Sequence, residues 1–272
     1  MINVEQYKCN TCGSVNLIFD GKVLQCKECK TEYPFNEHSG CLNFLNKELD
    51  DESLKNINLE DLEEAISQAD NSQNRLYSSQ YYLESDYSKN LVKEFNLNKG
   101  ASILDHGCGR GHFSDMFSGL GYNVASADIL EASLSHLSSD NKTVCNLAKL
   151  PYQDNYFDGV FSLDVFEHLR PNTMDDVINE IYRCLKPGGV LLISFPGNRL
   201  PDLIGIHLIN IFVFFMRLFG SNYPYMRSNK IDAHINLHSP WYFKKAFKKA
   251  RGKGEAVFDW RGKPYTTEVE GE

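Results

Sequence analysis

Four cysteines in two pairs carry the first chemistry legible in this chain. Cys9-Asn10-Thr11-Cys12 and Cys26-Lys27-Glu28-Cys29 are CxxC steps with thirteen residues between them. Each tight turn presents two sulfurs to one point, so Cys9, Cys12, Cys26 and Cys29 can close a tetrahedral Zn2+ site. Gly13 follows the first pair and can take the left-handed conformation that such turns often use. Leu17 to Phe19 and Lys22 to Leu24 flank Asp20-Gly21, a strong hairpin signal. Knuckle, hairpin, knuckle reads as a zinc ribbon. Disulfides are the competing reading, and the first residues do not read as a basic-then-apolar leader of a secreted protein. A redox CxxC does not need two copies. Cys41 lies outside both pairs and reads as a small packed residue. A segment this short buries little apolar surface, so the metal is expected to supply much of its folding energy.

The second chemistry lies at a glycine turn. Ser102-Ile103-Leu104 is a short apolar strand, followed by Asp105-His106-Gly107-Cys108-Gly109-Arg110-Gly111 and a helical pattern through Phe113, Met116 and Phe117. Strand, glycine turn and helix make a ligand-binding corner, because the backbone can approach a ligand where a Cβ would collide. A dinucleotide site wants G-x-G-x-x-G, and here the spacing is G-x-G-x-G. Asp105 also ends the strand, where a carboxylate would repel a pyrophosphate and suit an ammonium group. S-adenosylmethionine carries an ammonium and no phosphate. Asn123 to Ala127 form a second strand, and Asp128 ends it, 23 residues after Asp105. An acid there can accept both hydroxyls of a ribose.

These residues resemble a family. Ile103 to Phe117 are similar to motif I of class I S-adenosylmethionine-dependent methyltransferases, type 11 branch. The resemblance continues through Leu150-Pro151-Tyr152-Gln153-Asp154, Phe157-Asp158-Gly159-Val160, Phe161 to Leu169, and Cys184-Leu185-Lys186-Pro187-Gly188-Gly189. It covers roughly residues 80 to 250. Tyr7 to Leu45 also resemble the small zinc ribbons that accompany methyltransferases, through Tyr33-Pro34-Phe35 and the apolar run Leu42 to Leu45.

The resemblance implies roles. Asp105 and the backbone of Gly107, Cys108 and Gly109 would hold the methionine part of the cofactor. Asp128 would take the ribose hydroxyls, and Ile129 would pack on adenine. Asn146 and Leu147 stand in the adenine loop, with Asn146 where Asp is usual; Asn keeps an acceptor oxygen. Leu163 and Asp164 would sit near the transferring methyl. Methyl transfer needs a base only where the acceptor holds a proton. His168 is the candidate base, with Asp164 or Glu167 next; the competing reading has Glu167 and His168 brace the helix after strand four. His106 and His112 flank the turn and read as packing or cofactor-edge groups.

The elements that must position these groups are alternating strands and helices from 101 to 195, which imply a parallel sheet wrapped by helices. Thr173 to Leu185 reads as a helix, Lys186 to Gly189 as its stop, and Val190 to Phe195 as a strand buried on both faces. The expected fold class is α/β: a Rossmann-like seven-stranded methyltransferase sheet with helices on both faces, plus a small N-terminal zinc ribbon. The expected organisation is a ribbon at 1–45, an acidic linker at 46–79, the methyltransferase domain at 80–254 with an apolar helical insertion at 200–225, and a C-terminal hairpin at 255–272.

The chain has 272 residues, 42% of them hydrophobic and 24% charged, which excludes a fibrous or wholly disordered protein. Residues 47 to 70 hold nine acids and two bases, so −7 of the net −8 sits there. The remainder is near neutral and gives no global basic field for nucleic acid. Leu203 to Phe219 are the most apolar stretch, too short and, with His207, Asn210 and Arg217, too polar for a transmembrane span. Three readings stay open: a cap over the acceptor pocket, a helix in the membrane interface, or a dimer surface. His234 is a substrate-contact candidate. Six bases between Lys244 and Lys253 sit on an amphipathic helix that permits lipid or nucleic acid. The expected acceptor is a small molecule or lipid-linked group met by a cytoplasmic protein, with peripheral membrane contact open. The alternatives are an RNA or protein acceptor read by the ribbon, or a cofactor-binding subunit without turnover.

Overall fold

The computed structural model describes residues 2–45, 86–169, 171–194 and 265–268. The acidic linker, the apolar insertion with His207 and Arg217, His234 and the lysine-rich helix lie outside the described residues. So does most of the C-terminal hairpin.

The N-terminal segment forms β1 (Leu17–Phe19), β2 (Val23–Cys26), β3 (Glu32–Asn36) and β4 (Cys41–Asn43). Helix α1 (Asp86–Phe95) leads into β5 (Ser102–His106), α2 (His112–Gly119), β6 (Asn123–Asp128), α3 (Glu131–Leu134) and β7 (Lys142–Val144). Then come β8 (Phe157–Leu163), α4 (Met174–Cys184), β9 (Leu185–Ser194) and β10 (Tyr265–Glu268). Strands β7, β6, β5, β8 and β9 pair in parallel in that order, with β5 central. This is the expected α/β sheet.

Both edges of that sheet are extended. On one side β10 runs antiparallel to β9, with Tyr265 opposite Ile193 and Glu268 opposite Val190. On the other, β4 pairs in parallel with β7, with Cys41 opposite Lys142 and Asn43 opposite Val144. The order is β1-β2-β3-β4-β7-β6-β5-β8-β9-β10, ten strands among the described residues. The ribbon, expected as a unit of its own, therefore continues the sheet. The physical reason is edge satisfaction: alone, β4 and β7 would each present unpaired N–H and C=O groups.

Packing joins the two parts as well. Tyr7 stacks on Phe44 at 5.2 Å and on Tyr152 at 5.4 Å, and Tyr33 stacks on Phe44 at 4.3 Å. These rings share one core with Leu104 of β5, Val160 of β8, Leu191 of β9, and Ile178 and Ile181 of α4. Burying Phe44 alone contributes about 1.5–3 kcal/mol. The backbone ties them too: Lys8 N–H donates to Pro151 O at 2.8 Å and Gln153 N–H to Gln6 O at 2.9 Å.

The other face of the sheet carries α1 and α2. Leu91, Phe95, Met116 and Phe117 pack there on Ile103, Phe161 and Leu192. Neighbours along each strand thus alternate between the two cores, Ile103 and Leu104, Val160 and Phe161, Leu191 and Leu192. That alternation explains why these strands read as continuous apolar runs.

One boundary differs from the expectation. Strand β9 begins at Leu185, where the sequence predicts the end of a helix followed by a stop. Phe157 pairs with Leu185, and pairing resumes with Gly159 opposite Val190. Residues 186–189 bulge out between, with Gly188 at φ +75° and Lys186 Nζ donating to Asp158 Oδ1 at 2.6 Å. A stop signal and a strand bulge use the same residue types, so the sequence does not separate them.

Candidate functional site: the glycine turn and the cysteine cluster

The four knuckle sulfurs all lie within 4.8 Å of one another. Cys9 Sγ is 3.5 Å from Cys29 Sγ, and Cys12 Sγ is 3.6 Å from Cys26 Sγ. A zinc ion with Zn–S bonds of about 2.3 Å needs sulfurs roughly 3.8 Å apart at the corners of a tetrahedron. The donor set therefore fits Zn2+, and four thiolates leave no open position, which is structural chemistry.

The two knuckles repeat one backbone design. Gly13 N–H donates to Cys9 O at 2.8 Å and Lys30 N–H to Cys26 O at 3.0 Å. Cys9 N–H donates to Ser14 O at 2.8 Å and Cys26 N–H to Thr31 O at 2.9 Å. The residue after each second cysteine is left-handed, Gly13 at φ +77° and Lys30 at φ +62°. Tyr33 Oη accepts from Asn10 N–H at 2.8 Å and lies 3.1 Å from Cys9 Sγ, so its hydroxyl hydrogen is free to face the sulfur. Hydrogen bonds from Thr31 pull the Cys29 thiol down to about 6. Such donors offset thiolate charge around a metal. Cys41 is buried on β4 and outside the cluster, in keeping with its sequence context.

At the glycine turn each glycine has its own reason. Gly107 (φ +78°) lies so close to the loop after β8 that a Cβ would come within 2.5 Å of Val165 Cγ2. Gly111 (φ +74°) caps α2, and a Cβ there would meet Leu137 Cδ1 at 1.9 Å. Gly109 (φ +50°) faces open space, with nothing within 4 Å of an added Cβ. That opening is where a ligand can lie against the backbone.

Asp128 borders the same opening. Its Oδ2 accepts Gly109 N–H at 2.8 Å and its Oδ1 accepts Leu130 N–H at 2.9 Å. An ionised carboxylate is an acceptor only, the partner that ribose hydroxyls require. Burial raises the Asp128 carboxyl, and the backbone bonds to Leu130 and Gly109 pull it back. His168, in a 3-10 turn at Phe166–His168, is near enough for its charge to lower Asp128 as well. Ile129 is half-buried beside Asp128.

Asp105 sits one layer deeper. It is 4% exposed, and its Oδ2 accepts the Ser114 hydroxyl at 2.6 Å. Ser114 Oγ in turn lies 2.7 Å from Ser126 Oγ. Burial pushes the Asp105 carboxyl up to about 8, with the Ser114 bond opposing and the Asp128 charge adding. A cation in the opening would favour its ionised form.

The loop after β7 is tied to the same corner, since Cys145 N–H donates to Asp128 O at 2.9 Å. Asn146 Oδ1 accepts Ala148 N–H at 3.0 Å, so one of its lone pairs holds its own loop. Leu147 is buried there. At the end of β8 Leu163 is half-buried and Asp164 is exposed in the left-handed region, φ +54°. A non-glycine residue in that conformation costs about 1–2 kcal/mol, and such strain persists where neighbours over-determine it. His106 is buried, its Nδ1 is 3.1 Å from Ser162 Oγ, and burial pushes it down to about 4. It is a neutral packing group. Burial also lowers the half-buried His112.

Asp105, Gly107, Cys108, Gly109, Asp128, Ile129, Asn146, Leu147, Leu163, Asp164 and His168 thus stand at the carboxyl ends of parallel strands, where open α/β sheets bind ligands. Sequence reasoning misses the Ser114–Ser126 pair under Asp105; the available signal was a serine on the inward face of α2. It also misses Arg183, which donates to Tyr152 O at 2.7 Å and Leu150 O at 3.0 Å and so braces the Leu150 to Asp154 loop.

Residues 104–193 match a family model of type 11 methyltransferases, described as a methyltransferase domain. A probable S-adenosylmethionine-dependent methyltransferase of Mycolicibacterium smegmatis is 35% identical over 103 residues, 36% of this chain and 39% of that protein. A malonyl-acyl-carrier-protein O-methyltransferase of Yersinia pestis is 27% identical over 133 residues, 47% of this chain and 49% of that protein. The chain spans less than half the length of either relative. A solved structure of a Pyrococcus horikoshii protein superposes with TM-score 0.52 at 20% identity, over 72% of this chain and 94% of that one, and shows the same fold. Over residues 104–193 the chain thus matches a methyltransferase-domain family, and its relatives there include a probable S-adenosylmethionine-dependent methyltransferase.

Proposed function

We propose that this chain transfers a methyl group from S-adenosylmethionine to a small-molecule or lipid-linked acceptor, and that Zn2+ on Cys9, Cys12, Cys26 and Cys29 holds its ribbon. The observation that carries the cofactor reading is the open space at Gly109, whose N–H is bonded to the strand-end acid Asp128. When bound, the cofactor supplies a methyl group already activated on a sulfonium sulfur.

The chain's own work is then placement. Asp128 orients the ribose hydroxyls, with Ile129, Asn146 and Leu147 around the adenine. Asp105 offers a carboxylate to the cationic end, and the backbone at Gly107, Cys108 and Gly109 lets that end approach. Leu163 and Asp164 border the methyl. In-line displacement is accelerated by alignment and exclusion of water rather than by a new covalent bond to the protein. For an acceptor that holds a proton, His168 takes it, with Asp164 as the other candidate.

The acceptor class is supported by the apolar stretch Leu203 to Phe219, which suits a nonpolar acceptor better than a polyanion. The test is to incubate the purified chain with methyl-labelled cofactor and cell extract split into lipid, small-molecule, RNA and protein fractions. Label in the first two, lost in Asp128→Ala, supports the proposal. Label in RNA or protein sinks the acceptor class. Cofactor binding with no label in any fraction sinks the enzyme reading and leaves a cofactor-binding subunit.

A further inference from the structure

We propose that the ribbon is a positioning element for the nucleoside end of the cofactor site, acting through Glu131. The inference rests on the reading of Asp128 as the ribose acid.

The turn between β3 and β4 reaches over to the start of α3. Asn36 closes β3, and its Oδ1 accepts His38 N–H at 2.9 Å while its Nδ2 donates to Glu131 Oε1 at 2.7 Å. Both ends of that amide are engaged, so its orientation is set. Ser39 is buried, and its hydroxyl donates to the same Glu131 Oε1 at 2.6 Å. Gly40 N–H donates to Asn36 O at 2.8 Å and closes the turn. Two donors from one ribbon turn therefore converge on one carboxylate oxygen, and hydrogen bonds to a charged acceptor are the stronger kind.

Glu131 stands three residues after Asp128 in a segment with little slack. Leu130, between them, donates its N–H to Asp128 Oδ1 at 2.9 Å. Glu131 thus anchors the far end of the short loop that aims Asp128. A second connection leads from the ribbon to the same place. Phe44 N–H donates to Val144 O at 2.8 Å, and Cys145 N–H, next along, donates to Asp128 O at 2.9 Å. The ribbon accordingly holds both segments between which the nucleoside would lie, one through Glu131 and one through β7.

A loop held in its bound conformation before the ligand arrives spares binding the entropy of ordering it. Releasing Glu131 returns that cost to cofactor binding. Glu131, Asn36 and Ser39 are positioning residues, distinct from those that would meet the cofactor.

The experiment measures affinity for S-adenosylhomocysteine by calorimetry on the full zinc-loaded chain. Coupling between linked sites spans about 5–150-fold, and Glu131→Ala is expected to weaken binding about tenfold. Glu131→Gln keeps an acceptor oxygen and is expected to recover affinity to within about threefold of wild type. The Asn36→Ala, Ser39→Ala pair should match Glu131→Ala, and the triple variant should add nothing further, because all three remove one connection. Wild-type affinity in a folded Glu131→Ala protein, or full additivity in the triple variant, would overturn the inference. If Glu131→Ala does not fold, the Asn36→Ala, Ser39→Ala pair carries the test alone: a loss of about tenfold supports the inference and wild-type affinity overturns it. A wild-type chain that fails to bind S-adenosylhomocysteine refutes the cofactor-site reading itself, an outcome separable from the others.

Discussion

The N–H of Gly109 donates to Oδ2 of Asp128 across 2.8 Å, joining the glycine turn after β5 to the acid that ends β6. The bond fixes the carboxylate before any ligand is present, with Leu130 N–H holding the other oxygen. Asp128→Ala removes the acceptor of two backbone donors and of the ribose hydroxyls together. Hydrogen bonds to a charged group are worth about 1.5–3 kcal/mol each, so cofactor affinity should fall by about a hundredfold or more. Asp128→Asn keeps one acceptor oxygen and should fall between. Calorimetric titration with S-adenosylhomocysteine checks both, and unchanged affinity in Asp128→Ala would remove this acid from the site.

Asp105 couples stability and binding to pH. Burial pushes its carboxyl up to about 8, against about 3.9 in an unfolded chain. Between those values the folded protein holds a proton that the unfolded chain has released, so this group's contribution to stability falls as pH rises from about 4 to 8. A cationic ligand favours the ionised form, so binding expels that proton and affinity should rise with pH up to about 8. Asp105→Asn should raise the ligand-free Tm at pH 7, keep the Ser114 bond, and weaken cofactor binding. Melting curves and titrations across pH 5 to 9 read both effects, and a variant that melts lower and binds as wild type would contradict the assignment.

Gly109 and Gly111 give a contrasting pair. Gly111→Ala places a methyl 1.9 Å from Leu137 Cδ1 in a left-handed residue, and overpacking of a close contact costs about 1–3 kcal/mol before the backbone strain is added. That variant should lose stability heavily. Gly109→Ala meets no atom and should cost only the left-handed strain, about 1–2 kcal/mol, while its methyl enters the opening and weakens the cofactor at least tenfold. Denaturant unfolding and ligand titration of the two variants separate packing from binding. Equal behaviour would show that the opening is not where the ligand lies.

Metal removal should reach beyond the knuckles. Because β4 pairs with β7 and Tyr7, Tyr33 and Phe44 share a core with β5, β8 and α4, chelation should lower the melting temperature of the whole described fold in one transition. Cys12→Ser, at an exposed cysteine of the cluster, should do the same. Calorimetry showing an unchanged main transition beside a small early one would mean that the ribbon melts alone.

Much of this protein is readable one residue at a time. The four sulfurs that converge are named by their CxxC spacing, since a tight turn brings its own two ends together. Asp105, Gly107, Gly109 and Asp128 are named by standing at strand ends, because a parallel sheet aligns those ends along one edge. The alternating βα order fixes the fold class for the same local reason. Tertiary structure decides what lies between distant segments. That β4 completes the β7 edge, that Ser114 rather than a ligand occupies Asp105 Oδ2, that Gly111 is required by Leu137, and that Asn36 and Ser39 grip Glu131 all join residues far apart in the chain. No periodicity encodes such pairs, because their energy comes from satisfying a particular edge, void or carboxylate that exists only once the chain has closed around it.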